Sequence, residues 1–250
     1  MEQVCQCVAV VSGKGGTGKT SFTAGVGAAL AISGRRVLCL DCDVGLRNLD
    51  IALGLSDRTL MDFSDVAQGR CGLDAAAVEH PQIPGLFLLT APARMRERPV
   101  TEAEMEALLR EVRKRFDFCL LDAPAGLGYG FRLAVCGADR CVVVTTADAS
   151  SLRDAQHTVM ELDRFPAGQL HLVVNRVRRK MLRHMHATID DAIDRAGLPL
   201  LGVVPEDDAL PLCMNRGLPI ALADGQSAAA AYRNIAKRLQ GERVPLLRIR

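Results

Sequence analysis

Residues Gly13-Lys14-Gly15-Gly16-Thr17-Gly18-Lys19-Thr20 satisfy the spacing G-x-x-x-x-G-K-[ST], with a second lysine directly after the first glycine. Glycines at such positions let the main chain turn tightly and aim successive N–H groups at one point. A following helix adds its own open N–H groups and positive dipole end there. Polyanionic phosphate suits that point. Lys19 is placed to reach β- and γ-phosphates, the Thr20 hydroxyl to ligate a Mg²⁺ bridging them, and Ser21 to complete the phosphate-binding set.

Carboxylates at strand ends supply the rest of a phosphoryl-transfer site. Asp41 and Asp43 are two residues apart, so a strand running through both would point them the same way, and Asp122 closes another apolar run. Asp122 and Asp41 are read as joining Thr20 around the metal, and Asp43 as orienting the attacking water. A competing pattern shares these residues: Gly13-x-Gly15-x-x-Gly18 also fits a dinucleotide fingerprint, with Asp41 as the ribose-binding acid. The Lys19-Thr20 pair, Lys14 and the additional acid Asp122 favour the triphosphate.

The elements that must position these groups alternate. Val8-Ala9-Val10-Val11 reads as a buried strand, and Phe22 to Ile32 continues in helix-tolerant residues, so the loop lies between strand and helix. Arg35 to Asp43 gives a second strand and Leu86 to Leu89 a third. Thr101-Glu102-Ala103-Glu104 is a capping box, followed by Met105, Leu108, Leu109 and Val112 at helical spacing. Phe118 to Asp122, Cys141 to Val144, Leu170 to Val174 and Leu200 to Val204 are continuous apolar runs, the pattern of strands covered on both faces. The fold class predicted is α/β, an open, mostly parallel sheet with helices on both faces.

At 250 residues with 49% hydrophobic composition the chain has ample core. Without a low-complexity linker or repeat, residues 1–241 read as a single domain and 242–250 as a short basic-apolar tail. A formal charge of +2 selects no polyanionic partner. No leader-like order opens the sequence, and Phe22 to Ile32, carrying Gly25 and Gly27, is too short to span a bilayer, so a cytoplasmic setting is expected. The nine cysteines are expected to be reduced and buried. Cys39 and Cys42 straddle a strand and should face opposite sides of it, while Cys5 and Cys7 share a face without a second ligand pair.

Several of these stretches resemble one family. Lys14 to Thr20 is similar to the deviant Walker A loop of the MinD and ParA ATPases, and Asp41-Cys42-Asp43-Val44-Gly45-Leu46-Arg47-Asn48-Leu49-Asp50 resembles the first switch of the MinD branch. Asp122-Ala123-Pro124-Ala125-Gly126 resembles the second switch, Asn175-Arg176 the adenine-contacting pair, and Gly202-Val203-Val204-Pro205-Glu206-Asp207 the late loop beside the base. The likeness runs from about Val8 to Pro245. It implies a fold of the P-loop NTPase type, ATP and Mg²⁺ as cofactors, and base contacts from Asn175, Arg176, Pro205, Glu206 and Asp207. It further implies an ATP-dependent homodimer in which Lys14 of one chain reaches the phosphates bound by the other.

By the same resemblance, slow hydrolysis would be accelerated by a MinE-like stimulator, and the dimer would dock on the inner face of the cell membrane and recruit a MinC-like division inhibitor. Ser150-Ser151-Leu152-Arg153-Asp154 is similar to the helix start that supports partner binding, and equally fits a plain N-cap. A different user of the same core stays open: a ParA-like partition, flagellar-number or cluster-assembly ATPase, with Cys136 the position to inspect for a cluster.

Two stretches depart from or extend that pattern. The last helix is readable in Tyr232, Ile235, Ala236 and Leu239 with Gly241 closing it. Beyond it, Val244, Leu246, Leu247 and Ile249 alternate with Arg243, Arg248 and Arg250, but Pro245 splits the segment, which is short for an interfacial helix. The densest basic run is Arg176, Arg178, Arg179, Lys180 and Arg183 with His184 and His186. It reads as a solvated loop more readily than as a nucleic-acid or metal site.

Overall fold

The computed structural model describes residues 5–166, 168–178, 180, 188–222 and 227–247. Eight strands among them form one sheet: β1 (Gln6–Val11), β2 (Val37–Asp41), β3 (Val78–Glu79), β4 (Leu86–Leu89), β5 (Phe118–Asp122), β6 (Arg140–Thr145), β7 (Leu170–Val177) and β8 (Leu200–Pro205). Their spatial order is β3-β4-β2-β5-β1-β6-β7-β8. All neighbours run parallel except β3, which pairs antiparallel with β4 at the edge. The third strand predicted from the sequence is thus the fourth in the chain. Its two-residue edge partner is too short to leave a period in the sequence.

The continuous apolar runs are explained by two cores, one on each face. In β1, Cys7, Ala9 and Val11 enter one core and Val8 and Val10 the other. Leu38 and Leu40 against Val37 and Cys39 repeat this in β2, and Cys119 and Leu121 against Phe118 and Leu120 in β5. Cys39 and Cys42 accordingly belong to opposite cores, and all nine cysteines are free.

Helices α1 (Lys19–Ile32), α2 (Leu49–Leu53) and, late in the chain, α10 (Ser227–Leu239) cover one face. Tyr232 of α10 packs edge-on to Phe22 of α1, with centroids 6.1 Å apart. The closeness requires Gly25, where a Cβ would fall 2.3 Å from the Tyr232 ring. On the other face lie α3 (Phe63–Ala67), α4 (Leu73–Ala76), α5 (Glu102–Arg113), α6 (Tyr129–Cys136), α7 (Ala149–Met160) and α8 (Ile189–Ala196). The capping box holds: Thr101 accepts from Glu104 N, and Met105, Leu108, Leu109 and Val112 are buried. Helix α9 (Ala209–Asn215) lies between β8 and α10.

The described tail, residues 242–247, folds back on α10. Arg238 donates to the Val244 carbonyl at 2.8 and 3.1 Å, and Leu247 packs on the α1-side core. Arg248, Ile249 and Arg250 lie outside the described residues, as do Arg179, Arg183, His184 and His186 of the basic run. Among the described residues no helix is long and apolar enough to cross a membrane.

Candidate nucleotide site

Strand β1 sits between β5 and β6, so the glycine-rich loop emerges from the middle of the sheet at the carboxyl ends of the strands. Gly16 and Gly18 have φ of 81° and 89°, and Gly18 opens α1 with no side chain capping the helix and no acid in its first turn. Its N-terminal N–H groups therefore face whatever fills the loop. Crowding also demands glycine: a Cβ on Gly13 would lie 2.4 Å from the Asp154 carbonyl oxygen, and one on Gly18 would lie 2.3 Å from Asn175 Nδ2. Gly15 is flanked by Ala125 of the second switch segment.

Lys19 is buried, and its Nζ donates to Ser12 Oγ at 2.7 Å, while Ser12 donates to the Lys14 carbonyl at 2.7 Å. Burial pushes the Lys19 pKa down, and the nearby carboxylates Asp122 and Asp43 oppose the shift. A cation so desolvated is matched to an anion arriving in the loop. Thr17 Oγ1 is buried with no protein partner, which leaves its hydroxyl available to a polar group in the loop.

Thr20 Oγ1 donates to Asp122 Oδ2 at 2.7 Å and Thr23 Oγ1 to Asp122 Oδ1 at 3.1 Å. The β2–β5 register sets Asp41 directly beside Asp122. Burial lifts the Asp41 carboxyl to about 8, with the Asp122 charge adding, and lifts Asp122 to about 6 against its bond from Thr20 and the Lys19 charge. Adjacent buried carboxylates with Thr20 beside them are the donor set a hard divalent cation takes. The hydroxyl and acids therefore fit Mg²⁺, as the loop fits phosphate.

The structure revises one expectation here. Strand β2 ends at Asp41, so Asp43 does not follow it along one strand face. Asp41 instead binds the loop it precedes: its Oδ1 accepts from Asp43 N at 2.8 Å and its Oδ2 from Leu49 N at 3.2 Å. Asp41 thus stands beside Asp122 and Thr20 and also holds the first switch. Asp43 is half-buried, its pKa raised by burial and lowered by Lys19, whose charge it shares with Asp122.

Lys14 does not enter its own loop. Its Nζ lies 3.4 Å from Asp148 Oδ1, and both side chains remain substantially exposed. Asp148 caps α7 by accepting from Ser151 N, so that helix starts before the Ser150 predicted from the sequence. Burial pushes Asp148 up, yet bonds from Thr146 and Ser151 and the Lys14 charge hold it well below the usual carboxylate range.

Asn175 Nδ2 donates to the Thr17 carbonyl at 2.8 Å, and Arg176, with φ 56°, donates to the Gly16 carbonyl at 3.0 Å and to both Glu206 oxygens at 3.2 Å. Asn175, Arg176, Pro205, Glu206 and Asp207 line one cavity of about 200 Å³ together with Gly18 and Ser21. Asp207 fixes its walls, accepting from Ala209 N at the start of α9 and from Ala228 N in α10. Arg178 also pairs with Glu206, so Arg176 and Arg178 of the basic run face this rim. Cys136 is buried with its thiol on the Leu133 carbonyl.

Sequence reasoning missed Ser12, Thr23, Asp148, Met214 and Tyr232 around the site. Only Thr23 left a signal, because it lies one helical turn from Thr20 and shares its face.

Residues 8–220 match the model of the CobQ/CobB/MinD/ParA nucleotide binding domain. The septum site-determining protein MinD of Bacillus subtilis is 38% identical over 244 residues, covering 96% of this chain and 91% of that protein. Among solved structures, a chain of the MinC:MinD cell division protein complex of Aquifex aeolicus superposes with a TM-score of 0.90 at 34% identity, covering 98% of this chain and 99% of that one. The septum site-determining protein MinD complexed with Mg-ADP from Pyrococcus horikoshii gives 0.81 at 28% identity, covering 94% and 96%. The chain belongs to the MinD/ParA nucleotide-binding family, on the branch of the MinD septum site-determining proteins.

Proposed function

We propose that the chain is an ATP-hydrolysing dimerisation switch of the MinD type, which helps place the division site by recruiting a division inhibitor when loaded with ATP. The observation that carries this is the division of labour between two lysines. Lys19 is buried inside the loop on Ser12, whereas Lys14 stands at its mouth on Asp148, directed away from its own phosphate site.

In this reading Gly13 to Ser21 hold the triphosphate, and Thr20, Asp41 and Asp122 would hold Mg²⁺, whose charge would draw electron density from the phosphates. Lys19 neutralises charge from inside the loop. Lys14 of the partner subunit does so from outside, as an arginine finger would. Asp43 orients the attacking water, and Asp41 holds Asp43 in place through the bond to its amide. Asn175, Arg176, Pro205, Glu206 and Asp207 receive the base. ATP favours the dimer by its differential affinity for the two states, and hydrolysis removes that bias.

The partners follow the relatives: a MinC-like inhibitor, as in the Aquifex complex, and a MinE-like or other stimulator. Reversible association with the inner face of the membrane is assigned to the tail, where Leu246 is about half exposed beside Arg243. Two short tails on one dimer add through effective concentration. ATP-loaded protein should then sediment with anionic liposomes more than ADP-loaded protein; equal sedimentation removes the membrane role.

Sizing in the presence of ATP and Mg²⁺ tests the switch. The parent is expected as a dimer, Lys19→Ala as a monomer and Asp43→Ala as a long-lived dimer. One elution volume for all three, with nucleotide present, would overturn the proposal.

A further inference from the structure

Two glycine turns stand back to back between the base cavity and the first switch. Helix α2 ends in a turn where Leu55 N donates to the Asp50 carbonyl at 2.8 Å, with Gly54 at φ 66°. Helix α9 ends the same way, with Leu218 N on the Cys213 carbonyl at 2.9 Å and Gly217 at φ 62°. These are paired helix-closing turns, each relying on a left-handed glycine. Their main chains touch: a Cβ on Gly54 would fall 2.0 Å from the Gly217 carbonyl oxygen, and one on Gly217 would fall 3.0 Å from Gly54 Cα.

Each helix leads to a different part of the site. Upstream of Gly217, Leu210, Pro211 and Met214 of α9 form a wall of the base cavity. Upstream of Gly54, the first residue of α2, Leu49, donates its amide to Asp41, the carboxylate that also holds Asp43 N. A short helix carries displacement along its axis without absorbing it, and a main-chain contact with no side chain between leaves no compliant layer. A base seated against α9 therefore presses on the helix that fixes the switch.

We infer that Gly54 and Gly217 are positioning residues through which occupancy of the base cavity sets the placement of Asp43. The inference rests on the ATP-switch reading and adds a consequence to it. The nucleoside contributes to ordering the hydrolytic loop as well as to affinity, so a polyphosphate without a base leaves that loop less ordered.

Hydrogen exchange at the Asp43 and Leu49 amides reads this directly, with Mg²⁺ and saturating ADP compared against saturating pyrophosphate, which fills the phosphate loop alone. In the parent chain ADP is expected to slow exchange at both amides at least tenfold beyond pyrophosphate. In Gly217→Ala, and more so in Gly54→Ala, that difference is expected to shrink below threefold. Gly241→Ala imposes the same left-handed strain, φ 87°, with nothing within 4 Å, and should keep the full difference. Equal protection by the two ligands in the parent overturns the inference without need of a variant. So does an undiminished difference in Gly217→Ala, or its loss in Gly241→Ala. A parent chain that binds neither ligand overturns the nucleotide reading itself, which is a distinguishable result.

Discussion

Gly18 and Gly34 share a φ of 89° yet stand in opposite surroundings, which separates backbone strain from function at single residues. An alanine at either position costs about 1–2 kcal/mol for the left-handed conformation. At Gly34 nothing lies within 4 Å of the added methyl, so Gly34→Ala should lower the melting temperature slightly and leave ATP affinity unchanged. At Gly18 the methyl displaces the Asn175 amide from the Thr17 carbonyl and crowds the first turn of α1. Calorimetry on Gly18→Ala should therefore show MgATP affinity reduced at least tenfold; parent-like binding would mean that this crevice is not the phosphate site. The glycines and Lys19 were legible in the sequence because a local turn geometry restricts residue type at fixed spacing. Ser12 and Asp148 were not, since a hydroxyl or carboxylate becomes part of a site only through contacts made in three dimensions.

Long helices with a marked cap or apolar stripe were legible, and short ones, α6, α8 and α9 among them, were not. Helix α5 announces itself through its cap and its buried stripe, and Thr101→Ala should cost about 1 kcal/mol, measurable as a lower urea midpoint at unchanged slope. By contrast α2, α3, α4 and β3 have two to five residues each, less than the pattern needs to repeat. The turn before β4 is tied to α2 by His80, a buried side chain whose Nδ1 accepts from Gln82 N and Ile83 N, both at 3.1 Å, with a further hydrogen bond to the Leu53 backbone. Only the neutral ring can accept those amides. Burial pushes its pKa below 6.5, the Arg58 charge adds to this, and the Leu53 bond opposes it. With the folded pKa below the unfolded value, the unfolded chain binds more protons between the two. The His80 contribution is therefore complete above about pH 6.5, falls as pH drops through that value, and levels off below the folded pKa. Asp41 and Asp122 titrate with the opposite sign, so the difference between parent and His80→Asn isolates the histidine. Melting temperatures of the two should converge as pH is lowered from 7.5 to 5.5, and a constant gap would exclude this linkage.

At the scale of the whole molecule, the sequence showed alternating strands and helices but not the order in which the strands lie. That order comes from side chains meeting across long sequence separations, such as Cys7 in register with Cys119 and Asp41 with Asp122. The order in turn puts the loop after β1 beside the start of α7, and so gives Lys14 its neighbour Asp148. For Lys14 to serve the partner subunit it must leave that carboxylate. An ion pair this exposed is worth up to about 1 kcal/mol, so the contact slightly favours the monomer. Asp148→Asn removes the charge while keeping an N-cap residue of equal rank, which spares α7. Two such pairs are broken per dimer, so sedimentation equilibrium with MgATP should find the dimer of Asp148→Asn tighter by up to about thirtyfold, the factor that about 2 kcal/mol allows. The gain should vanish in a Lys14→Ala background, where there is no ammonium to release. A weaker dimer in Asp148→Asn alone would mean that the carboxylate stays with the lysine across the interface, and the outward position of Lys14 would then reflect assembly rather than restraint.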